Sequence, residues 1–245
     1  STTSPDPTTN KNIFLLTANI NGMNPTKWKY ITNMQCYPKL SVIVLTEHHL
    51  SGKFRPKEIR KSGWEIHMVA GARKKGKAGQ KHRGGVMLLV RTSLGLKVHQ
   101  DILRDYRSGM HHQAATWTLS SASLPKPIHI TGVYISPTEG EVEEFFEVLT
   151  NAATFPPSEI HLYVGDFNSH IGNEIEGHVR SDPSPPIPDR VGDAAHTPAP
   201  IDMRRTQTRP TSAQRGRLLL RFLDAIHFIV TNGRFQPASA PPPIT

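Results

Sequence analysis

Asp166 and Asn168 stand two residues apart in "LYVGDFNS" (Leu162–Ser169), where a short apolar run ends in Gly-Asp-Phe-Asn. A carboxylate and a carboxamide against the end of a buried strand are costly unless each has a partner or a task. The pattern recurs: Asn19 follows "IFLLTA" and Glu47 follows "SVIVLT". Polar side chains at several strand ends meet on one edge of a sheet, where clefts form. An oxygen-only set suits a hard cation such as Mg²⁺ (or Mn²⁺), which keeps waters and binds substrate phosphates. Each residue alone also reads as an ordinary turn or cap. Together, in a basic chain, they point to metal-assisted phosphate chemistry.

The elements that must position them are legible as apolar runs. "IFLLTAN" (Ile13–Asn19) and "LSVIVLT" (Leu40–Thr46) read as buried strands, and "WEIHMVA" (Trp64–Ala70) alternates as a half-exposed strand does. "GVMLLVR" (Gly85–Arg91), "LKVHQ" (Leu96–Gln100), "QAATWTLS" (Gln113–Ser120), "PIHITGVYIS" (Pro127–Ser136) and "EIHLYVG" (Glu159–Gly165) continue the series, with "FIVTN" (Phe228–Asn232) as a final strand. Helices are predicted over Thr26–Gln35, Gly140–Ala153 and Ala213–Phe228; in the second, Val142, Phe145, Phe146 and Leu149 fall on one face. Strands and helices alternate only partly, and several strands run consecutively. The expected class is therefore α/β (α+β), with two mixed β-sheets packed as a sandwich and helices outside.

Residues 1–12 read as a disordered tail, 13–233 as one domain, and 234–245 as a Pro-rich tail. Within the domain, Ile175–Thr211 is Pro-rich, lacks any period and reads as a long loop.

The formal net charge of +9 on 245 residues suggests a polyanionic partner, nucleic acid before an anionic membrane surface; plain solubility is the bland alternative. Part of the charge is concentrated in "GARKKGKAGQKHRGG" (Gly71–Gly85), a predicted loop carrying Arg73, Lys74, Lys75, Lys77, Lys81 and Arg83. Cations with Gly between them suit a phosphate clamp, or simply a solvated loop. It is not a P-loop, because the Gly-Lys-Ser/Thr ending is absent. Cys36 is the only cysteine, which excludes an internal disulfide and a multi-cysteine zinc site and fits a reducing compartment, nuclear or cytoplasmic. No apolar run approaches the ~20 residues of a membrane helix.

"TANINGM" (Thr17–Met23), "LTEHHL" (Leu45–Leu50), "RGGVMLLV" (Arg83–Val90), "VYISP" (Val133–Pro137) and "YVGDFNSH" (Tyr163–His170) resemble, in order, the motifs of the endonuclease/exonuclease/phosphatase (DNase I-like) superfamily, which includes apurinic/apyrimidinic endonucleases. The resemblance is closest to the endonuclease domain of non-LTR retrotransposons, where a "GDFN" segment is followed by a helix like "RGRLLLRFLDAIHFIVTN". It implies a DNase I-like fold and roles for individual residues. Glu47 resembles the carboxylate that holds the catalytic Mg²⁺. Asn19 and Asn21 resemble the first-motif pair that orients metal and phosphate, Asn21 standing where many relatives have Asp. Tyr134 resembles the tyrosine on the scissile phosphate. Asp166 resembles the residue that orients or deprotonates the attacking water, and Asn168 the amide that holds the phosphate and fixes that aspartate.

The family closes with a serine/isoleucine/aspartate stretch and a Ser-Asp-His motif, and neither is found up to Thr245, so the reading expects a C-terminally incomplete piece. His49 matches a family position but is not that terminal histidine. The function implied is an Mg²⁺-dependent endonuclease that nicks DNA, and the resemblance extends to its being part of a larger polyprotein with a reverse transcriptase. The alternatives are a phosphodiesterase acting on RNA or a lipid, and a non-catalytic member of the fold kept for nucleic-acid binding or assembly.

Overall fold

The computed structural model describes residues 13–32, 40–51, 63–76, 79–104, 112–137, 141–154, 156, 158–169 and 214–228. Strand β1 (Phe14–Asn19) leads through helix α1 (Pro25–Thr32) to β2 (Leu40–Thr46), followed by β3 (Trp64–Val69), β4 (Ala72–Gly76), β5 (Gly79–Arg83) and β6 (Val86–Arg91). Then come β7 (Lys97–Arg104), β8 (Gln113–Ser120), β9 (Ile128–Tyr134), helix α2 (Val142–Ala152), β10 (Ile160–Asp166) and helix α3 (Gln214–Ala225).

Two four-stranded sheets result, in the orders β1-β2-β6-β3 and β10-β9-β8-β7. Each carries one parallel pair at an edge, β1 with β2 and β10 with β9, and is otherwise antiparallel, so both are mixed. This is the expected two-sheet class. Their facing sides interdigitate: Val42, Val44, Val86, Leu88 and Val90 of the first sheet share one core with Ala115, Trp117, Leu119, Ile130 and Tyr134 of the second. Period-2 alternation explains the partition, because the odd-numbered neighbours Ile43, Leu45, Met87 and Leu89 turn to the other face and pack with Trp28 and Ile31 of α1. With both faces covered, β2 is buried along its whole length, hence its unbroken apolar run. On the second sheet, α2 buries Val142, Phe145, Phe146 and Leu149 and lies against β7.

Most predicted elements are present within a few residues of their expected ends. The segment Gly71–Gly85, read as a loop, is instead the β4–β5 hairpin, with Ala72 opposite Arg83 and Gly76 opposite Gly79. Charged and glycine residues give no apolar alternation, so nothing in the sequence pattern announced the backbone pairing. The residues 33–35 of the first predicted helix, the loop 175–211, both tails and residues 229–232 of the predicted last strand lie outside the described residues.

The chain divides into two compact units, Ser1–Asn168 and Ser169–Thr245. In the second, α3 buries Leu219, Leu220, Phe222 and Leu223. It ends in a left-handed His227 (φ 57°), with Phe228 N–H donating to Leu223 O at 2.8 Å and His227 N–H to Asp224 O at 3.2 Å, a Schellman closure. Among the described residues, no helix is long and apolar enough to cross a membrane.

Candidate active site and a second metal-capable cluster

The parallel pairs set the site. In each pair both strands end on the same side, so Asn19 lies opposite Thr46, just before Glu47, and Asp166 lies opposite Tyr134. Sandwich packing brings the two ends together. Asn19 Nδ2 donates to Asp166 Oδ2 at 2.6 Å, from one sheet to the other. Tyr134 lies beside the Glu47 carboxylate of the other sheet, close enough for that carboxylate to raise its phenol.

The surrounding hydrogen bonds fix each group. Asp166 Oδ1 accepts the Asn168 N–H at 3.0 Å, so both of its oxygens are held. Asn168 Nδ2 donates to Ile135 O at 2.7 Å. Asn19 Oδ1 accepts the Asn21 N–H at 3.0 Å. Lys27, on α1, gathers the carbonyls of Ile20, Asn21 and Gly22 with its Nζ at 2.6, 3.2 and 3.1 Å. Asn21 (φ 43°), Glu47 (φ 54°), His49 (φ 57°) and Asn168 (φ 45°) all occupy the left-handed region. Non-glycine residues adopt it at a cost, and such residues gather where the surroundings hold a functional geometry.

Glycines make the remaining room. At Gly84 (φ 72°) a Cβ would run into the Tyr134 ring and the Gln113 amide. Gln113 Oε1 accepts the Gly85 N–H, and its Nε2 donates to Ala70 O at 2.7 Å. Gly165 (φ 132°) sits against the Val133 backbone, where any side chain would push β10 off β9 just before Asp166.

The electrostatics follow from this packing. Burial, with the negative charges of Glu47 and Asp166 beside it, raises the Tyr134 phenol above its ordinary range, so it keeps its proton. Burial lowers His49, the nearby Arg83 charge lowers it further, and Glu47, whose Oε2 is 3.6 Å from His49 Nε2, opposes the shift. Burial lowers His48 to about 4; its Nε2 donates to Val69 O at 2.9 Å and its Nδ1 accepts the Leu50 N–H at 3.0 Å.

Asn19, Asp166 and Asn168 are thus joined by hydrogen bonds, with Asn21 tied to them through its backbone, and Tyr134 lies near enough to feel the charges of both Glu47 and Asp166. Arg83, at the base of the hairpin, is close enough to influence both His49 and Tyr134. His49 N–H donates to Gly84 O at 2.9 Å, which anchors that base beside the site. Arg73, Lys74, Lys75 and Lys81 lie further along β4 and β5, and Lys77 lies outside the described residues.

A second cluster was not singled out from the sequence. His129, Glu159 and His161 place one ligand atom each within 4.8 Å of one another and can chelate a divalent metal. They stand at the starts of β9 and β10, the opposite ends of the strands that carry Tyr134 and Asp166. The available signal was the Ile-His pair that opens both strands, which parallel pairing sets side by side. Burial lowers His161 to about 4, and His129 beside it adds to the shift, so its imidazole is neutral at pH 7.

No protein-family model and no curated protein matches the sequence. Solved structures do. A 3′ phosphatase, NExo, from Neisseria, bound to product DNA hairpin, superposes with a TM-score of 0.51 at 14% identity, over 87% of this chain and 71% of that one. Humanized D. rerio TDP2 gives 0.43 at 12% identity over 64% of this chain, and an AP endonuclease from Archaeoglobus fulgidus 0.45 at 14% over 66%. The match spans less than two thirds of the length of those last two proteins, 63% and 59%. The chain is thus similar in fold to NExo, with the two mixed four-stranded sheets of a DNase I-like sandwich.

Proposed function

We propose that this chain is a metal-dependent phosphodiesterase, and within that class an Mg²⁺-dependent endonuclease domain of the non-LTR retrotransposon type that nicks DNA. The observation that carries the reading is the Asn19–Asp166 hydrogen bond between the two sheets, with the Tyr134–Glu47 contact beside it. The likeness to NExo, solved with product DNA, supports a nucleic-acid partner, as does the net charge of +9.

The donors at this edge are oxygens: the Glu47 carboxylate and the side-chain carbonyls of Asn19 and Asn21. That set fits a hard cation. When bound, the cation would stabilise the charge that grows on the phosphate oxygens. Glu47, Asn19 and Asn21 would hold it. With both oxygens already fixed, Asp166 presents its carboxylate in one orientation and can align the attacking water or take its proton. Asn168 holds that orientation through its N–H. Tyr134 stays protonated and can donate to a phosphate oxygen. The β4–β5 hairpin gives cationic residues next to the site for the flanking backbone.

The test is conversion of supercoiled plasmid to the open circle in Mg²⁺. Asp166→Ala and Glu47→Gln should each slow nicking by roughly 10²-fold or more while DNA binding survives. Nicking indifferent to both changes overturns the reading. DNA binding without nicking by the unsubstituted chain favours the non-catalytic alternative. A reverse transcriptase encoded downstream in the same reading frame would mark the retrotransposon type.

A further inference from the structure

We propose that His129, Glu159 and His161 form a binding site for a transition cation of the zinc class, built on the starts of β9 and β10 and separate from the phosphodiester site. The register sets His161 directly opposite His129, and the two imidazoles lie in contact, centroids 4.4 Å apart and planes 7° from parallel. Glu159 reaches back over them, its Oε2 2.6 Å from His129 Nε2. The other ring nitrogen of His129, Nδ1, is 3.0 Å from Thr118 Oγ1 on β8. That contact fixes the ring and leaves Nε2 facing the carboxylate, as the outer partners of ligating histidines do.

The donor set separates this cluster from the other edge. Two imidazole nitrogens with one carboxylate suit Zn²⁺, Co²⁺ or Ni²⁺, whereas the oxygens around Glu47 suit Mg²⁺. Distance separates them as well. Asp166 is five residues beyond His161 on one extended strand, about 16 Å at the usual rise. One ion cannot serve both places.

The short His129–Glu159 contact brings two of the three ligand groups together where a cation would sit. Each imidazole lone pair lies in its own ring plane, so His161 must turn out of the stack to converge with the held His129 on one ion. Glu159 belongs to the turn closed by its N–H on Pro156 O at 3.0 Å, just ahead of β10. A bound cation would therefore pin the entry of this edge strand, which carries Asp166 at its far end, to β9 and, through Thr118, to β8.

The test is titration of the tag-free, metal-stripped 245-residue chain with Zn²⁺ by calorimetry, and with Co²⁺ by visible absorption. One saturable Zn²⁺ site is expected, with a Co²⁺ ligand-field band that Zn²⁺ abolishes. His161→Gln and Glu159→Gln should each weaken it by roughly tenfold or more, and Thr118→Ala by about tenfold. Glu47→Gln should leave it unchanged, and a circular dichroism spectrum of each metal-free variant reports whether it is folded. Absence of saturable Zn²⁺ and Co²⁺ binding overturns the proposal. So does binding that persists in folded His161→Gln, or that disappears with Glu47→Gln. Loss of Mg²⁺-dependent nicking bears only on the first site, so the two readings fail separately.

Discussion

Asn21, Glu47, His49 and Asn168 all adopt left-handed backbone just beyond strand ends, and each costs about 1–3 kcal/mol relative to an ordinary conformation. Hydrogen bonds hold them there: Gly22 N–H donates to Glu47 O at 2.7 Å, and Met23 N–H to His48 O at 2.9 Å. His48, fully buried within this turn, has a folded-state pKa of about 4 against an ordinary 6.5. Between those values the unfolded chain binds a proton that the folded chain does not. Stability should therefore fall as pH drops through this window and level off below it, with His48 contributing about 3 kcal/mol. His161 and His49 are shifted the same way and add to the slope. Urea midpoints measured from about pH 7 to about pH 4 should fall steadily, and His48→Gln should flatten the fall. Equal slopes in both proteins would remove His48 from the account.

Among the elements, the β4–β5 hairpin is where charge and site meet. Its base, Ala72 paired with Arg83, lies beside Tyr134 and His49, and its rungs pair Lys74 with Lys81. DNA affinity should fall with salt by about 0.9 in log K per neutralised phosphate for each unit of log salt. Replacing Lys74, Lys75 and Lys77 by Gln together should flatten that slope and leave sequence preference nearly unchanged. Filter binding across a salt series reads both quantities. An unaltered slope would assign the hairpin to solvent.

For the molecule as a whole, the sandwich is what makes the site. Asn19 and Glu47 belong to one sheet, and Tyr134 and Asp166 to the other. Trp117 helps to set the distance between them: its ring fills the space over Gly132, in the inter-sheet core, and its Nε1 donates to Gln100 Oε1 at 2.9 Å. Trp117→Ala should destabilise the chain by about 3–5 kcal/mol, while Trp117→Phe should cost less. At a temperature where both variants are folded, Trp117→Ala should also nick more slowly, because the bridging pairs feel any shift between the sheets. Denaturation curves with single-turnover nicking check this, and a weakened protein with an unchanged rate would show that the site is held locally.

Apolar runs sufficed to mark β2, β6, β8 and α2, because burial on one or both faces writes itself into residue choice. The ends of the runs in β1, β2 and β10 also displayed Asn19, Glu47 and Asp166, since a polar residue there interrupts an otherwise apolar pattern. The hairpin was not legible, as its strands are defined by backbone pairing and carry no apolar alternation. Nor was the His129–Glu159–His161 cluster, whose histidines are 32 positions apart, 129 to 161, in strands that also read as ordinary core. Only the choice of β9 and β10 as parallel neighbours puts those side chains together. The same holds for the hydrogen bond from Asn19 to Asp166, with a sequence separation of 147. Local pattern records what a residue buries; which distant residue it meets is settled by strand order and by the packing of one sheet on the other.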